Sequence, residues 1–429
     1  MISNHPLDLK ADNYRSLMMF MLALINYALM YAANIFLARA LSVDDFDDYS
    51  VALSIVTILS TLATLGLEKY ALRAIALFRD REDWSKFRGF WVFSLRTISG
   101  FSLLLVVLLV IGLEVMLALH NADYHHIAIV IYACFLPVMA VTFFLVEVIA
   151  AHGAHILSMV IYRLFLPLVY VVLMVVLSYN QVTLTAIYAV LCFGFAWVLT
   201  LIVIWIAANM LISPLVTKAP ILRYGRKWLR RSLPLVFSSL MMTIMTSSGV
   251  VILEILYTSG IDVAIYAIAA QTGGFISLVG TSTNRYYLPM MVIMVDRRDK
   301  LSLGRVMKQR TLALGGLVLI ILSILVFFGQ KILSLFGPDF IAGYHTVLII
   351  SIGASVSALF ADIPYYLQFM GYHRSVLTLT LVATILMVVL GIILGAKYGA
   401  IGVAFAYMVP VVLLFSVLRI MAWHNFRQF

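Results

Sequence analysis

Long apolar stretches alternate with short polar connections along the whole chain. Each stretch holds about 20 residues, the length that an α-helix needs to cross a hydrocarbon layer of about 30 Å. The pattern predicts an all-α integral membrane protein with about twelve transmembrane helices. The predicted spans cover residues 16–38, 48–72, 90–113, 127–151, 155–178, 183–211, 233–257, 262–290, 311–330, 344–370, 374–396 and 400–424.

The composition agrees with a membrane protein, because 64% of the 429 residues are hydrophobic and 11% are charged. Soluble domains average roughly 45–50% and 25%. Residues 1–15 are polar, and the first apolar run, about Leu17 to Leu37, is too long for a signal peptide, so it is interpreted as the first span. Cys134 and Cys192 fall inside predicted spans and are expected to be buried free thiols.

The net charge of +10 is distributed unevenly between the connections. Basic residues concentrate in the loops 76–89, 212–232 and 293–310, and the last of these includes Arg310. The alternate loops hold almost none, and the 41–48 loop is acidic. By the positive-inside rule, this alternation predicts that both termini are cytoplasmic. The charge therefore indicates topology and not nucleic-acid binding.

The 212–232 segment is the longest polar connection after the first six spans. It predicts two six-helix lobes, residues 1–211 and 233–429, joined by a basic cytoplasmic linker. Transporters are often built from two such repeats. A faint match between residues 49–52 and 266–269 is consistent with an internal repeat.

Several predicted spans carry polar side chains along one helical face, which lipid should not contact. Such stripes either join neighbouring helices or line a water-filled cavity. The residues that are candidates for lining a cavity are Tyr31, Asn34, Thr243, Ser247, Gln271 and Tyr366.

Basic residues inside spans are more informative than those in loops. At the bilayer centre each costs about 2.5–3.5 kcal/mol, although one near a helix end can extend its side chain to the headgroups. A protein that keeps several basic residues inside its spans is therefore expected to bind an anion there. The planar guanidinium of arginine matches the geometry of phosphate oxygens. We therefore predict a cationic vestibule for a phosphate-bearing headgroup. Its candidate residues are Lys69, Arg73, Arg96, Arg163 and Arg285.

Carboxylates inside spans suggest a second kind of site. Glu254 and Asp362 are candidates for coupling transport to a proton or sodium gradient, whereas Glu147 is expected to pair with Arg96 or Arg163. The histidines and cysteines lack metal-ligand spacing, and nucleotide-binding or nucleophile motifs do not occur in a suitable setting. We therefore expect no metal, no organic cofactor and no catalytic residue.

Three stretches resemble a known family. They are FLARALSVDDFDDYSVALSIVTILSTLATLGLEKYALRAIA at 36–76, LFGPDFIAGY at 335–344 and KYGAIGVAFAY at 397–407. Their order and placement are similar to those of the polysaccharide (O-antigen) flippases of the multidrug/oligosaccharidyl-lipid/polysaccharide (MOP) superfamily. Two positions depart from the family pattern, since Asp47 replaces a common glycine and Val388 a common asparagine.

The resemblance implies a MATE-like, two-lobed exporter that works by alternating access. Its implied cargo is an undecaprenyl-pyrophosphate-linked oligosaccharide, used to make O-antigen, capsule or exopolysaccharide. The implied location is the bacterial cytoplasmic (inner) membrane. The expected partners are this lipid-linked oligosaccharide, membrane lipids and a polysaccharide polymerase, and the chain is expected to act as a monomer.

Two alternatives remain. The first is a cation-coupled multidrug or organic-cation extruder of the same superfamily, which would be expected to place a carboxylate in its first span, whereas residues 16–38 contain none. The second is a membrane-embedded glycosyltransferase or polymerase, which would need a large loop or an acidic catalytic pair. The loops here are short, and only the acidic patch at 44–48 could supply such a pair.

Neutralising Arg163 and Arg285 together tests the predicted vestibule. We expect transport to be lost while folded protein persists in the membrane, because the anionic headgroup would lose two cationic partners. Transport assays on the Arg163→Gln/Arg285→Gln variant measure this, and full activity would refute the role of both residues.

Overall fold

The computed structural model describes residues 9–120, 127–181, 183–222, 224–256 and 260–428. Nearly all of these residues are helical, and none of them lies in a β-strand. The first eight helices are α1 Leu9–Ala40, α2 Val43–Ala63, α3 Leu67–Asp80, α4 Trp84–His120, α5 Ile127–Ala133, α6 Leu136–Ala151, α7 His155–Val160 and α8 Leu166–Tyr179. The others are α9 Ala186–Leu211, α10 Pro214–Lys218, α11 Gly225–Leu256, α12 Ile261–Asp296, α13 Lys300–Leu333, α14 Tyr344–Leu359, α15 Ile363–Phe369 and α16 His373–Gln428.

The membrane-spanning character of the chain is confirmed. Within the described residues, ten helices are long and apolar enough to cross a bilayer, and the bent pair α5 and α6 makes eleven when counted as one span. The fold is therefore an all-α, multi-pass membrane fold. The count of twelve spans and the cytoplasmic position of both termini stay predictions.

Helix α16 reverses direction within its 56 residues. Gly399 has the left-handed φ of 56°, and a Cβ on Gly402 would overlap the carbonyl oxygen of Leu394. A straight helix would hold those two residues about 12 Å apart. The chain therefore doubles back here, and the predicted spans 374–396 and 400–424 form its two arms.

Close contacts divide the chain into two compact units. The large unit is Leu29–Ala267, and the small unit combines Met1–Ala28 with Ile268–Phe429. These bounds differ from the predicted lobes 1–211 and 233–429, because α11 packs against α2 and α3 of the large unit. The division into two six-helix lobes, which was predicted from the sequence, stays a prediction.

A short irregular turn separates α2 from α3 in the large unit. Leu65 and Gly66 both have positive φ, 51° and 71°, and a Cβ on Gly66 would overlap the Ser232 carbonyl oxygen of α11. Only glycine combines this backbone with so close an approach. The stretch Val43–Asp80, which contains the predicted span 48–72, is long and apolar enough to form one span with this irregular turn inside it. Beyond the turn, α3 packs against α11.

The acidic 41–48 segment is helical from Val43 onward, so its prediction as a loop is wrong for residues 43–48. Ser42 caps α2 by accepting a hydrogen bond from the Asp45 amide at 3.1 Å. The Asp45 carboxylate in turn accepts from the amide of Ala186, the first residue of α9, at 3.0 Å. Acidic groups stabilise helix N-termini because they accept from amides that lack a partner within the helix.

The predicted linker 212–232 packs against α4. Arg88 donates to the carbonyl oxygen of Ala219 at 2.5 Å. Trp228, already inside α11, lies edge-to-face on Phe90 with ring centres 5.5 Å apart. The segment is therefore part of the large unit's packing and not only a connection.

In the small unit, glycines allow α12 and α14 to approach closely. A Cβ on Gly273 would lie 2.9 Å from the Ile350 side chain, and one on Gly280 would overlap Ala358. These two glycines are seven residues apart and therefore share one helical face. Small residues at membrane helix interfaces increase van der Waals contact, which is a main source of helix association in lipid.

Replacing Gly66 by alanine tests the irregular turn between α2 and α3 and its close contact with α11. We expect about 1–3 kcal/mol of strain from the positive φ, with the clash on Ser232 adding to it. Thermal unfolding of the detergent-purified variant measures the loss. Gly100→Ala is the control, because nothing lies within 4 Å of its Cβ. Equal unfolding temperatures for both variants would contradict the positive φ and close contact assigned to Gly66.

Candidate functional site

A cationic pocket of about 580 Å³ lies in the large unit, where α3 meets α11. Lys69 and Arg73 line it from α3, and Arg231 lines it from α11. The i, i+4 spacing places the first two on one helical face. Tyr70 adds a hydroxyl group, and none of the described residues lining the pocket is a carboxylate. The remaining lining residues are Ala74, Leu77 and Leu235.

Neighbouring contacts orient these cations without neutralising them. Arg231 Nη1 lies 3.4 Å from the Tyr70 hydroxyl, to which it donates, and the Tyr70 ring packs edge-to-face on Phe90 at 5.7 Å. Lys69 Nζ lies 3.8 Å from Glu147 Oε1, and both side chains are partly exposed. A loose, partly exposed ion pair contributes little energy. The pocket therefore keeps its positive character.

The two other described cations of the predicted vestibule lie outside this pocket lining. Arg96 is exposed on α4, and Arg163 is half-buried. The expected pairing of Glu147 with Arg96 or Arg163 is wrong, since Glu147 pairs with Lys69. The Arg285 side chain lies outside the described residues.

Arg163 is carried by a π-helical turn, Ile161–Phe165. The Leu166 amide donates to the carbonyl of Ile161, five residues back. The following Pro167 has no amide hydrogen, and its ring excludes a regular contact with the carbonyl four residues earlier. The widened turn therefore follows from the proline, and such turns are frequent at functional sites.

Arg231 was missed because the sequence assigned it to the linker 212–232. Helix α11 begins earlier, at Gly225. A four-residue spacing of buried positions, Trp228, Ser232 and Val236, already runs through this region. That periodicity is the signal that could have placed Arg231 on a helix.

A buried ion pair forms the polar core of the small unit. Arg310 is 1% exposed, and its Nη1 donates to Asp362 Oδ1 at 2.6 Å. Its Nη2 donates to Asn284 Oδ1 at 2.8 Å, and Asn284 in turn donates to the Ala361 carbonyl at 3.0 Å. The prediction that Arg310 belongs to the 293–310 loop is wrong, because α13 already includes it.

The pair lies at the break between α14 and α15. Pro364 stands in the first turn of α15, where its missing amide hydrogen costs no helical hydrogen bond. The Ile363 amide donates to Phe360 at 3.0 Å and so leaves the Leu359 carbonyl without its helical donor. Arg310 Nη1 donates to that carbonyl at 3.2 Å. The guanidinium therefore replaces a lost backbone hydrogen bond.

The two candidate coupling carboxylates have different surroundings. Asp362 is engaged by Arg310, a geometry that favours a structural role. Glu254 is half-buried on α11 and lies within electrostatic range of Asp47, which is 6% exposed on α2. Coupling through either residue stays a prediction.

The polar residues predicted to line a cavity are divided between the units. Thr243 Oγ1 lies 3.2 Å from Thr61 Oγ1, and the Tyr27 hydroxyl donates to the Gln271 carbonyl, so part of these stripes joins helices. A shared cavity stays a prediction. Of the six, the large unit holds Tyr31, Asn34, Thr243 and Ser247, and the small unit holds Gln271 and Tyr366.

Metal-binding geometry does not occur in the described part of the chain, where no three His, Cys, Asp or Glu side chains converge. Cys192 is buried, as predicted. Cys134 is exposed, which corrects the prediction, because it lies at the break between α5 and α6.

The long apolar helices fit a multi-pass membrane protein. The profile of the family described as polysaccharide biosynthesis protein matches residues 15–294, and the chain belongs to this family of MOP-superfamily flippases. It is therefore a transporter and not an enzyme. No curated protein matches the chain.

Solved structures share the fold. An inward-facing multidrug resistance MATE family transporter of the MOP superfamily aligns with a TM-score of 0.73 at 14% identity, covering 96% of this chain and 98% of that one. A mutant of the Vibrio cholerae MATE transporter VcmN aligns with a TM-score of 0.65 at 13% sequence identity, covering 98% of this chain and 97% of that one. The lipid II flippase MurJ, in an inward closed conformation, aligns with a TM-score of 0.65 at 14% sequence identity, covering 94% of this chain and 87% of that one.

Removing one member of the buried ion pair tests its structural role. Asp362→Ala should cost about 3–5 kcal/mol, because the Arg310 guanidinium stays buried without its counter-ion. Unfolding of the detergent-purified protein measures this loss. The double variant Arg310→Met/Asp362→Leu removes both charges and should recover part of the stability. If it is no more stable than Asp362→Ala, the unpaired charge is not the cause.

Proposed function

We propose that this transporter moves an undecaprenyl-pyrophosphate-linked oligosaccharide across the bacterial cytoplasmic membrane by alternating access. The observation that carries the proposal is the pocket lined by Lys69, Arg73 and Arg231. The cargo would then serve the synthesis of O-antigen, capsule or exopolysaccharide.

The charge of the pocket suits a pyrophosphate. Both linked phosphates are ionised at neutral pH, and their oxygens accept hydrogen bonds in the directions that an arginine fork offers. Two arginines and one lysine supply such donors, and Tyr70 adds a neutral one. Lysine contributes a compact charge whose direction is less restricted. The set therefore fits two adjoining anionic groups better than a single neutral sugar.

The size and walls of the pocket also suit this cargo. Its volume of about 580 Å³ falls within the range of about 300–1,000 Å³ that is usual for small-molecule sites. Leu77 and Leu235 provide apolar surface next to the cations. A prenyl pyrophosphate has the same arrangement, with an apolar chain attached directly to a charged group.

The family supports this cargo class. Its description names polysaccharide biosynthesis, and the structurally similar MurJ is described as a lipid II flippase. The similar MATE transporters are described as multidrug resistance proteins. A positively charged pocket disfavours cationic drugs, because like charges repel at short range in a site of low dielectric constant.

The proposal also includes the energy source of transport and the orientation of the chain in the membrane. Coupling to a proton or sodium gradient would use Glu254, with Asp47 as its electrostatic neighbour. Both termini would be cytoplasmic, and a polysaccharide polymerase would take the cargo on the opposite side. A transport assay with an imposed pH or sodium gradient tests the coupling, and indifference to both gradients would remove it.

Binding of undecaprenyl pyrophosphate to the purified protein tests the pocket. The triple variant Lys69→Gln/Arg73→Gln/Arg231→Gln should weaken binding by about a hundredfold or more, since each charge-assisted hydrogen bond contributes roughly 1.5–3 kcal/mol. Binding of undecaprenol, which lacks the phosphates, should not change.

The matched control is Lys218→Gln/Arg226→Gln/Lys227→Gln. It removes the same charge from nearby exposed positions that do not line the pocket. An equal loss of binding in both triple variants would show that the change in net charge, and not the pocket, causes the effect. Unchanged binding in the pocket variant would place the pyrophosphate elsewhere.

A further inference from the structure

A second cavity, of about 360 Å³, lies in the small unit between α13, α15 and α16. Lys308 and Arg419 line it with positive charge, Tyr366 contributes a hydroxyl group, and Trp423 and Phe426 contribute aromatic rings. We propose that this cavity binds the phosphate headgroup of an anionic phospholipid. We call it the headgroup pocket.

Tyr366 supplies a hydrogen-bond donor that the protein itself does not use. Its side chain is fully buried, and its hydroxyl has no hydrogen-bond partner among the described residues. A buried polar group without a partner costs about 1–3 kcal/mol by general estimates. Tyr366 is among the residues that line the cavity, and a ligand oxygen that reached its hydroxyl would satisfy it.

The charge of the headgroup pocket favours an anion. None of the described residues lining it is a carboxylate. The nearby Asp362 is already engaged by Arg310 at 2.6 Å, so it is not a strong competitor for the cations of the pocket. The guanidinium of Arg419 lies over the Phe360 ring at 5.7 Å, a cation–π contact that orients it.

The position of the pocket favours a lipid over a soluble phosphate. It lies where the predicted spans 311–330 and 400–424 approach their polar ends, beside Lys308. Leu312 and the half-exposed Trp423 give it apolar walls. Basic pockets between membrane helices bind anionic lipid headgroups, and tryptophan is enriched at the same depth.

This inference is independent of the proposed cargo. The cationic pocket for the pyrophosphate belongs to the large unit, whereas the headgroup pocket is built from the small unit alone. Either can fail without the other, because they share no lining residue.

Thermal unfolding of the detergent-purified protein with added lipid tests the headgroup pocket. Phosphatidylglycerol should raise the unfolding temperature of the unmodified protein, whereas phosphatidylcholine and inorganic phosphate should not. Lys308→Gln/Arg419→Gln should weaken the apparent affinity for phosphatidylglycerol by about tenfold or more, and Tyr366→Phe by about fivefold. Native mass spectrometry should show one retained phosphatidylglycerol, which the double variant loses.

The control Lys331→Gln/Lys397→Gln removes the same charge from exposed positions of the small unit outside the pocket. It should keep the response to phosphatidylglycerol, and a loss equal to that of the pocket variant would overturn the proposal. Equal stabilisation by phosphatidylcholine or by inorganic phosphate would overturn it as well. If the double variant does not fold, the nearly isosteric Tyr366→Phe decides, and an unchanged affinity in that variant refutes the site.

Discussion

Inside a bilayer, a backbone carbonyl that leaves its helical hydrogen bond must find another donor within the protein, because lipid offers none. The break between α14 and α15 creates this situation at Leu359, and the Arg310 guanidinium supplies the donor. Asp362 balances the charge, and Gly280 on α12 accepts from the same guanidinium at 3.2 Å. One side chain on α13 thus holds α12 and the broken helix together. Within the small unit, this contact satisfies a backbone group that the helix break leaves without its helical donor.

The large unit satisfies the same constraint by different means. Its irregular turn at Gly66 lies against α11, and its π-helical turn follows from Pro167. Lys69 and Arg73 follow the turn at Gly66, and Arg310 donates to the carbonyl left free at the break between α14 and α15. Lys69 and Arg231 line one pocket because α3 and α11 pack against each other. The proposed cargo site therefore depends on this helix packing.

The sequence predicts the membrane class and most spans, because bilayer thickness sets one length for every crossing helix. The prediction fails for residues whose role depends on partners that are far away in the sequence. The residues around Arg310 in the sequence are those of a basic loop. Its burial depends on Asp362, 52 residues away, which pairs with it in the structure. Asp45 looks like a solvated acid, but it caps a helix that begins 141 residues later. Lys69 and Arg73 were found because they share one helix, whereas Arg231 needed the tertiary packing.

The reversal of α16 at Gly399 has a consequence for how the protein enters the membrane. The turn between its arms holds few polar residues, with Lys397 lying over the ring of its neighbour Tyr398 at 5.2 Å. Neither arm could insert first and leave the other in water without exposing a long apolar surface. The two arms should therefore enter the membrane together, as one helical hairpin.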